Sequence, residues 1–378
     1  MCTDLRLVNE QNRHISGRNL DYSGDLETWI SAVPAGARFV SIVPPLCGRS
    51  GFDWVVEYDY IGFISLPKKI KLFSTATVFN ELGSEHKAMS NEAMNEKGLS
   101  VASLWNDDCQ YLKEESWPAG LKAMADFSIV EWIAGSFASV QDLKKTLLPP
   151  DLLGAPLPQP ASPPFVIWGN LTAGGYNWTP APAHYVVHDA SGDNLVLEVI
   201  DGVLTLLESP PCVLTNEPRL SWQMENLGNY AHLFYVDPAK SAFGGGAVPP
   251  IGCGAGMLGL PGDYTPPSRF AKIALLNWSG ADYPLDDATN PRKPVTHAFN
   301  LLSAVAPPYG FNQTPDGNDF TQWQAVRDHR ECAYYIRTCF GTATQVIKVK
   351  EVDFKTDTQP RYRELSHVNA EVHLPLPA

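Results

Sequence analysis

Cys2, Arg18 and Asp21 are the residues through which the first part of this sequence could do chemistry. They lie in MCTDLRLVNEQNRHISGRNLDY, where two short alternating runs flank the turn-forming letters NEQN. This pattern predicts an antiparallel hairpin in which paired residue numbers sum to about 21, so that Cys2 lies beside residues 18–20. A fixed positive charge at Arg18 would then favour the thiolate form of Cys2, and the Asp21 carboxylate could orient an amine by accepting hydrogen bonds.

The position of Cys2 directly behind Met1 indicates where a base could come from. If Met1 is removed, which a small second residue permits, Cys2 becomes the amino terminus. An α-amine titrates near neutral pH and can take the thiol proton, so one residue would supply both nucleophile and base. The plainer alternatives are a buried cysteine that only fills space and a solvated Arg18–Asp21 pair.

Composition excludes several classes of function. The 378 residues are 44% hydrophobic and 18% charged, which is typical of a folded globular protein. A formal net charge of -13 argues against nucleic acid or anionic membranes as partners. No apolar run is long enough to span a membrane, and the charged first residues do not resemble a signal peptide, so we expect a cytoplasmic protein as the sequence is written.

The other motifs do not predict a cofactor. The seven cysteines form no pair of C-x-x-C zinc knuckles, and the nine histidines show no H-E-x-x-H pattern. GAGMLG at 254–259 lacks the strand and helix that a dinucleotide site requires. We therefore expect neither metal nor organic cofactor, and a reduced set of cysteines, although in an oxidising compartment Cys332 and Cys339 could pair within a hairpin.

The order of predicted elements indicates an α+β fold in a single domain over residues 1–378. Helical periods occur at 120–148, 268–278 and 295–305, and mainly antiparallel strands lie on both sides of them, including 68–79. The proline-rich segment 149–164 could be a linker, but hairpin signals on both sides favour a surface loop.

Four signatures in order resemble the choloylglycine hydrolase family, which includes bile salt hydrolases and penicillin V acylases. They are MCT…GRNLDY, MNEKGLSVASLW at 94–105, VLTNEP at 213–218 and LPGDYTPPSRF at 260–270. The resemblance covers nearly the whole chain. It implies a four-layer αββα sandwich of two mainly antiparallel sheets, with the cysteine at the end of a central strand.

The resemblance also implies a site. It makes Cys2 the nucleophile and base, with Arg18 and Asp21 in support. The remaining catalytic residues implied are Asn95, Asn216 and Arg269. The two asparagines would surround the scissile carbonyl, where amide donors stabilise an oxyanion, although each lies in a turn-like string. Tyr22 and Trp105 adjoin these segments and could wall an apolar acyl pocket or belong to the core.

The expected reaction is hydrolysis of a linear carboxamide C–N bond through a thioester, without a cofactor. The GLSVASLW form and the proline-rich loop are more similar to penicillin V acylases of Gram-negative bacteria, some of which accept N-acyl homoserine lactones, than to bile salt hydrolases, which remain the alternative. Members of that branch often carry a leader cut before the cysteine, so a periplasmic location is open if Met1 replaces one. A non-catalytic acyl-amide binder is a further alternative, and similarity at 222–234 suggests a homotetramer.

Overall fold

The computed structural model describes residues 1–8, 13–41, 43, 49–67, 90–169, 171–173, 176–178, 182–281, 285, 289–315, 317–356 and 359–371. The strand predicted at 68–79 lies outside the described residues, as does Cys47. Cys332 carries a free, buried thiol, so the hairpin disulfide with Cys339 is not formed.

One sheet contains the chain's first strand. Its path among the described residues runs β17-β1-β2-β21-β22-β23, with β20 beside β21, and all of its pairs are antiparallel. Its strands are β1 (Cys2–Arg6), β2 (Ile15–Ser23), β17 (Val213–Leu214), β20 (Asn312–Thr314), β21 (Gly317–Asp328), β22 (Ala333–Thr338) and β23 (Gln345–Lys348). The first hairpin is therefore central in the sheet, because β21 pairs with β2 and β17 pairs with β1.

The second sheet is larger and follows the order β10-β16-β15-β14-β8-β7-β6-β3-β24 in the described part of the chain. Its strands are β3 (Leu26–Val33), β6 (Tyr60–Pro67), β7 (Glu92–Asn95), β8 (Ser100–Trp105), β10 (Gln159–Pro160), β14 (Ala183–His188), β15 (Asn194–Ile200), β16 (Val203–Leu207) and β24 (Arg361–Glu364). Among the described residues, four further pairs lie outside the two sheets: β4 (Arg38–Val40) with β5 (Asp53–Val55), β9 (Lys122–Ala125) with β11 (Phe165–Trp168), β12 (Leu171–Ala173) with β13 (Tyr176–Trp178), and β18 (Ser241–Phe243) with β19 (Gly246–Val248).

The described α-helices are α1 (Ile129–Ser136), α2 (Val140–Leu147), α3 (Leu220–Leu227), α4 (Pro266–Ser279) and α5 (Lys293–Ser303). The sequence predicts the cap of α2, and the structure confirms it: Ser139 Oγ accepts the Asp142 N–H at 3.1 Å. Helix α4 begins at Pro266, where the fixed φ of proline suits the first helical turn.

The inner faces of the two sheets share one core. The Phe63 ring on β6 lies 5.4 Å from the Trp323 ring on β21 and 4.9 Å from the Tyr334 ring on β22. These contacts join the larger sheet to the smaller one. Every second side chain of these strands points to this face and is therefore buried between the two sheets.

Helices cover both outer faces. Helix α5 lies on β2, where a β-carbon on Gly17 would approach Leu302 Cδ1 to 2.9 Å, so only glycine allows this close packing. Helices α1 and α2 contribute Ile133 and Leu143 to a second core on the outer face of the larger sheet. The layer order is therefore αββα, as the family resemblance implies.

In two segments the observed secondary structure differs from the one that the sequence pattern predicts. The helical period predicted from residue 120 is wrong at its start, because Lys122–Ala125 form strand β9, which pairs in parallel with β11. Tertiary pairing outweighs the helical preference of these residues. The segment 149–164 lies at the surface, and its Gln159–Pro160 form an edge strand against β16.

Candidate active site

Strand pairing places Cys2 close to Arg18. In the β1–β2 hairpin Cys2 pairs with Leu20 and Asp4 pairs with Arg18, one residue away from the predicted register. Cys2 and Arg18 are therefore diagonal neighbours on one face of the sheet. Arg18 Nη2 donates to Cys2 Sγ at 3.2 Å, which brings a positive charge to the thiol.

The Arg18 guanidinium is buried and held by several acceptors. It donates to the main-chain oxygens of Asn91 at 2.6 Å and Ser103 at 2.5 Å, and its Nη1 lies 3.8 Å from Glu92 Oε2. Burial alone would lower the pKa of Arg18, but Cys2 and Glu92 outweigh it, and the net pKa is raised. The charge beside the thiol is therefore permanent.

Asn216 and Arg269 contact the main chain of Cys2. Asn216 Oδ1 accepts the Cys2 N–H at 2.6 Å and a hydrogen bond from Arg269 Nη2 at 2.8 Å. Arg269 Nη1 also donates to the Cys2 carbonyl oxygen at 2.5 Å, and Nε donates to the Tyr264 carbonyl at 2.9 Å. Both side chains thus fix the backbone that carries the thiol. Asn216 lies in the loop after β17, and Arg269 lies in helix α4.

Asp21 lies beside the chain's amino terminus. Its Oδ1 accepts from Thr321 Oγ1 at 2.6 Å, and its Oδ2 is 3.8 Å from Arg269 Nη1. Its main-chain N–H donates to the Met1 carbonyl at 2.8 Å, and its carbonyl accepts from the Met1 amino group at 2.7 Å. Burial raises the pKa of the Asp21 carboxyl, although Arg269 opposes the rise.

Asn95 is the predicted site residue that the structure places elsewhere. In β7, Met94 belongs to the core between the sheets and Ala93 to the core under the helices, so Asn95 faces the helices. Its amide donates to the Ala134 and Phe137 carbonyls, and its Oδ1 accepts two backbone N–H groups of the turn, from Lys97 and Leu99. These four hydrogen bonds use both N–H groups and both oxygen lone pairs of the Asn95 amide. They lie on the face of the larger sheet that points away from Cys2.

Tyr22 and Trp105 lie at the surface near these segments, with 36% and 42% of their area exposed. Trp105 Nε1 donates to Asp107 at 2.7 Å, and the Trp105 carbonyl accepts from Asn216 Nδ2 at 2.8 Å. This second contact ties the end of β8 to the Cys2 group. The substrate-binding role of both rings stays a prediction.

Three residues of this site were missed by sequence reasoning: Glu92, Thr321 and Asp319, whose Oδ1 lies 3.9 Å from the Met1 amino group. The period of two along β7 places Glu92 on the inner face with Met94, so alternation could have found it. Thr321 and Asp319 come from β21, about 300 residues after Asp21 along the chain, and no local pattern connects them to the first hairpin.

The described residues contain no group of three His, Cys, Asp or Glu side chains placed to hold a metal ion. Across the same residues, no helix is both long and apolar enough to cross a membrane.

The fold and the buried thiol define the class first: an αββα sandwich whose opening strand carries a cysteine is the architecture of the N-terminal nucleophile hydrolases. The sequence model described as linear amide C–N hydrolases, choloylglycine hydrolase family, matches residues 2–360. The chain belongs to this family, whose members are hydrolases acting on non-peptide C–N bonds.

Curated relatives include a bile salt hydrolase/transferase of Clostridium perfringens, 24% identical over 98% of this chain and 100% of the relative. A penicillin V acylase of Pectobacterium atrosepticum is 21% identical over 93% of this chain and 82% of that protein. Among solved structures, the R18L variant of conjugated bile acid hydrolase from Clostridium perfringens has a TM-score of 0.78 at 21% identity, covering 99% of this chain and 100% of the other.

Proposed function

We propose that Cys2 is the nucleophile with which this protein hydrolyses linear acyl amides, after Met1 has been removed. The observation that carries the proposal is the pair of contacts at one residue. Arg18 reaches the thiol at 3.2 Å, and Asn216 accepts from the Cys2 nitrogen at 2.6 Å. The nitrogen that would act as base is therefore oriented by the same group that surrounds the nucleophile.

The mechanism needs only water and the amide. The Cys2 α-amine takes the thiol proton, and sulfur attacks the acyl carbon, forming a C–S bond. The C–N bond then breaks as the α-amine passes its proton to the leaving amine. Water activated by the same α-amine adds to the thioester carbon, which releases the carboxylic acid and restores the thiol.

Each supporting residue has a separate task in this proposal. Arg18 stabilises negative charge on sulfur, and Asp21 with Arg269 orients the backbone of Cys2. Of the two asparagines expected around the scissile carbonyl, Asn216 alone contacts Cys2, through its acceptor oxygen. The N–H of its amide that does not donate to the Trp105 carbonyl is the side-chain donor proposed for the oxyanion. Tyr22 and Trp105, exposed beside Asp21 and Asn216, are proposed to contact the acyl group.

Two substrate classes follow from the relatives. We propose a penicillin V acylase-like activity, extending to N-acyl homoserine lactones, on the form of the 94–105 signature. Conjugated bile salts are the second candidate, because the full-length match to the bile salt hydrolase/transferase supports them equally. A relative that binds acyl amides without cutting them is the remaining alternative.

The test is amine release from penicillin V, glycocholate, taurocholate and long-chain N-acyl homoserine lactones, with the wild type beside Cys2→Ala. Intact mass is measured first, to establish that Met1 is absent. Cleavage of one class by the wild type and none by the variant would assign both nucleophile and substrate. If protein lacking Met1 cleaves nothing but binds a substrate, the binding alternative takes the place of catalysis.

We also propose that copies of this chain assemble as a homotetramer through the region around 222–258. Exposed apolar side chains accumulate there: Trp222, Phe234, Val248, Ile251 and Leu258 are each more than a third exposed. Such a concentration favours contact with another protein surface. Light scattering of the purified protein measures the assembly, and a monomer at micromolar concentration would contradict it.

A further inference from the structure

Met1 continues the β1–β2 ladder one residue past Cys2. Its amino group donates to the Asp21 carbonyl at 2.7 Å, and its carbonyl accepts the Asp21 N–H at 2.8 Å. Met1 is thus an α-aminoacyl group joined to Cys2 and held beside the nucleophile. When it is removed, the space it occupied and both hydrogen-bonding groups of Asp21 become available.

A buried carboxylate faces the position of the Met1 amino group. Asp319 is 2% exposed, and its Oδ1 lies 3.9 Å from that nitrogen. Asp319 Oδ2 accepts from Asn312 Nδ2 at 3.3 Å, whereas Oδ1 accepts no hydrogen bond from any described residue. An unsatisfied buried carboxylate oxygen is costly, so this atom is ready for a cationic donor.

Other charged groups lie near this space. Asp21 Oδ2 and Glu217 Oε2 are also buried atoms without a hydrogen bond from the described residues. Arg18 donates to the thiol and two carbonyls, and Arg269 donates to Cys2 and Asn216, while Arg269 Nη1 also lies 3.8 Å from Asp21 Oδ2. Arg269 thus partly offsets Asp21, and Asp319 is the buried carboxylate that faces the space held by Met1.

We propose that this space is an ammonium subsite of the acyl pocket, so that an acyl group with an α-ammonium, bound through the Asp21 carbonyl and Asp319, is preferred over the same acyl group without it. This inference rests on the proposed amide hydrolysis and names its substrate class. An acyl group bound to sulfur is displaced by about 3 Å from one bound to nitrogen of the same cysteine. The Met1 amine, 3.9 Å from Asp319 Oδ1, would need to move only about 1 Å to reach hydrogen-bond distance, which lies within that displacement.

The α-amine of Cys2 itself does not fill this subsite. The Cys2 nitrogen is directed at Asn216 Oδ1, which is also the acceptor for Arg269. The Met1 nitrogen is directed at Asp21 and Asp319. The two nitrogen positions have separate partners, so a substrate ammonium and the catalytic amine can be bound at once.

A matched pair of anilides tests the subsite. L-Phenylalanyl p-nitroanilide and 3-phenylpropionyl p-nitroanilide differ only by the α-ammonium group, and at pH 6 that group is protonated. We expect kcat/KM of the wild type, freed of Met1, to be at least about 10-fold higher for the phenylalanyl substrate. Cys2→Ala must release p-nitroaniline from neither, which excludes a contaminating peptidase.

Asp319→Asn keeps an oxygen for Asn312 but turns an N–H donor toward the subsite. We expect it to reduce the ratio of the two kcat/KM values about 10-fold. Asp151→Asn, on the exposed proline-rich loop, is the matched control and should leave the ratio unchanged. If Asp319→Asn does not fold, binding of the two compounds to Cys2→Ala freed of Met1 decides, because an α-ammonium group also activates the scissile carbonyl without any subsite.

Three outcomes would overturn the proposal. The first is a wild-type ratio at or below one. The second is an equal loss on both substrates in Asp319→Asn, which would assign Asp319 to the Cys2 amine. The third outcome concerns binding and is measured if neither anilide is cleaved, a result that would put the proposed amide hydrolysis itself in question. Calorimetry on Cys2→Ala freed of Met1 then compares binding of the two compounds, and equal affinities would reject the subsite.

Discussion

Two asparagines in turn-like strings have different structural roles. Asn216 joins the Cys2 nitrogen to Arg269 through one oxygen, with Oδ1 distances of 2.6 and 2.8 Å. Asn95 closes the turn after β7 and binds the end of helix α1. Both are fully buried. The difference between the two roles comes from the direction of each amide: Asn216 points to Cys2, and Asn95 points to the helix layer.

Replacing Asn95 by alanine should therefore affect folding and not chemistry. Loss of its buried hydrogen bonds should lower the free energy of unfolding by about 2–5 kcal/mol, since each stranded partner carries a desolvation cost. The kcat/KM of the remaining folded protein should change less than about twofold. Urea unfolding and assays at a temperature where the variant is folded measure the two effects.

Asn216→Ala is the comparison for that experiment. It should lower kcat by about 100-fold or more, as expected for loss of a donor and of the contact that orients the amine. An inactive Asn95→Ala that is as stable as the wild type would instead return Asn95 to the catalytic group.

Strands β1, β7 and β21 meet over buried charges between the two sheets. Arg327 donates to Asp4 Oδ2, and its Nη1 lies 3.7 Å from Glu92 Oε1. His188 Nε2 lies 2.8 Å from Asp4 Oδ1. Burial raises the pKa of Glu92, although Arg327 and Arg18 oppose the rise. These side chains connect the Arg18 guanidinium to the centre of the sandwich.

A double-mutant cycle with Asp4→Asn and Arg327→Met measures this coupling between elements. Each single change leaves an opposite charge buried with fewer partners and should cost about 3–5 kcal/mol of unfolding free energy. The double variant should lose at least about 1 kcal/mol less than the sum of the two. Additive losses in urea unfolding would show that the strands are held together by other contacts.

Asp126, whose main-chain carbonyl accepts from Tyr185 of the second core, sets a pH dependence for the stability of the whole molecule. Burial raises its pKa from 3.8 to about 7, although the Phe127 N–H and the Tyr111 hydroxyl oppose the rise. The folded state thus holds a proton that the unfolded state has lost, so this group lowers stability as pH rises from about 4 to about 7. Above that range the penalty is complete.

Asp126→Asn should remove this penalty, because its oxygen can still accept from Phe127. At pH 8 the free energy of unfolding of the variant should exceed that of the wild type by about 4 kcal/mol. At pH 5 this difference between the two proteins should be smaller by about 3 kcal/mol. Urea titrations at the two pH values give the comparison. A difference between the proteins that does not vary with pH would mean that Asp126 is ionised in the folded state.

The features that could be predicted from the amino-acid sequence depend on short separations along the chain. Alternation and the NEQN turn predicted the hairpin that brings Arg18 to Cys2, and the Ser139 cap marked the start of α2. Four ordered signatures indicated the family, which the match over residues 2–360 confirms. Such features follow from the hydrogen-bond periods of strands and helices, which involve neighbours along the chain.

Features that depend on distant segments became visible in the tertiary structure. It placed Asn95 under the helices, because the layer against which β7 packs is not visible in four residues of sequence. It made a parallel strand of Lys122–Ala125, and it brought Asp319 of β21 to the amino terminus. The physical reason is that burial and pairing between remote segments, and not local propensity, decide which face of an element meets which neighbour.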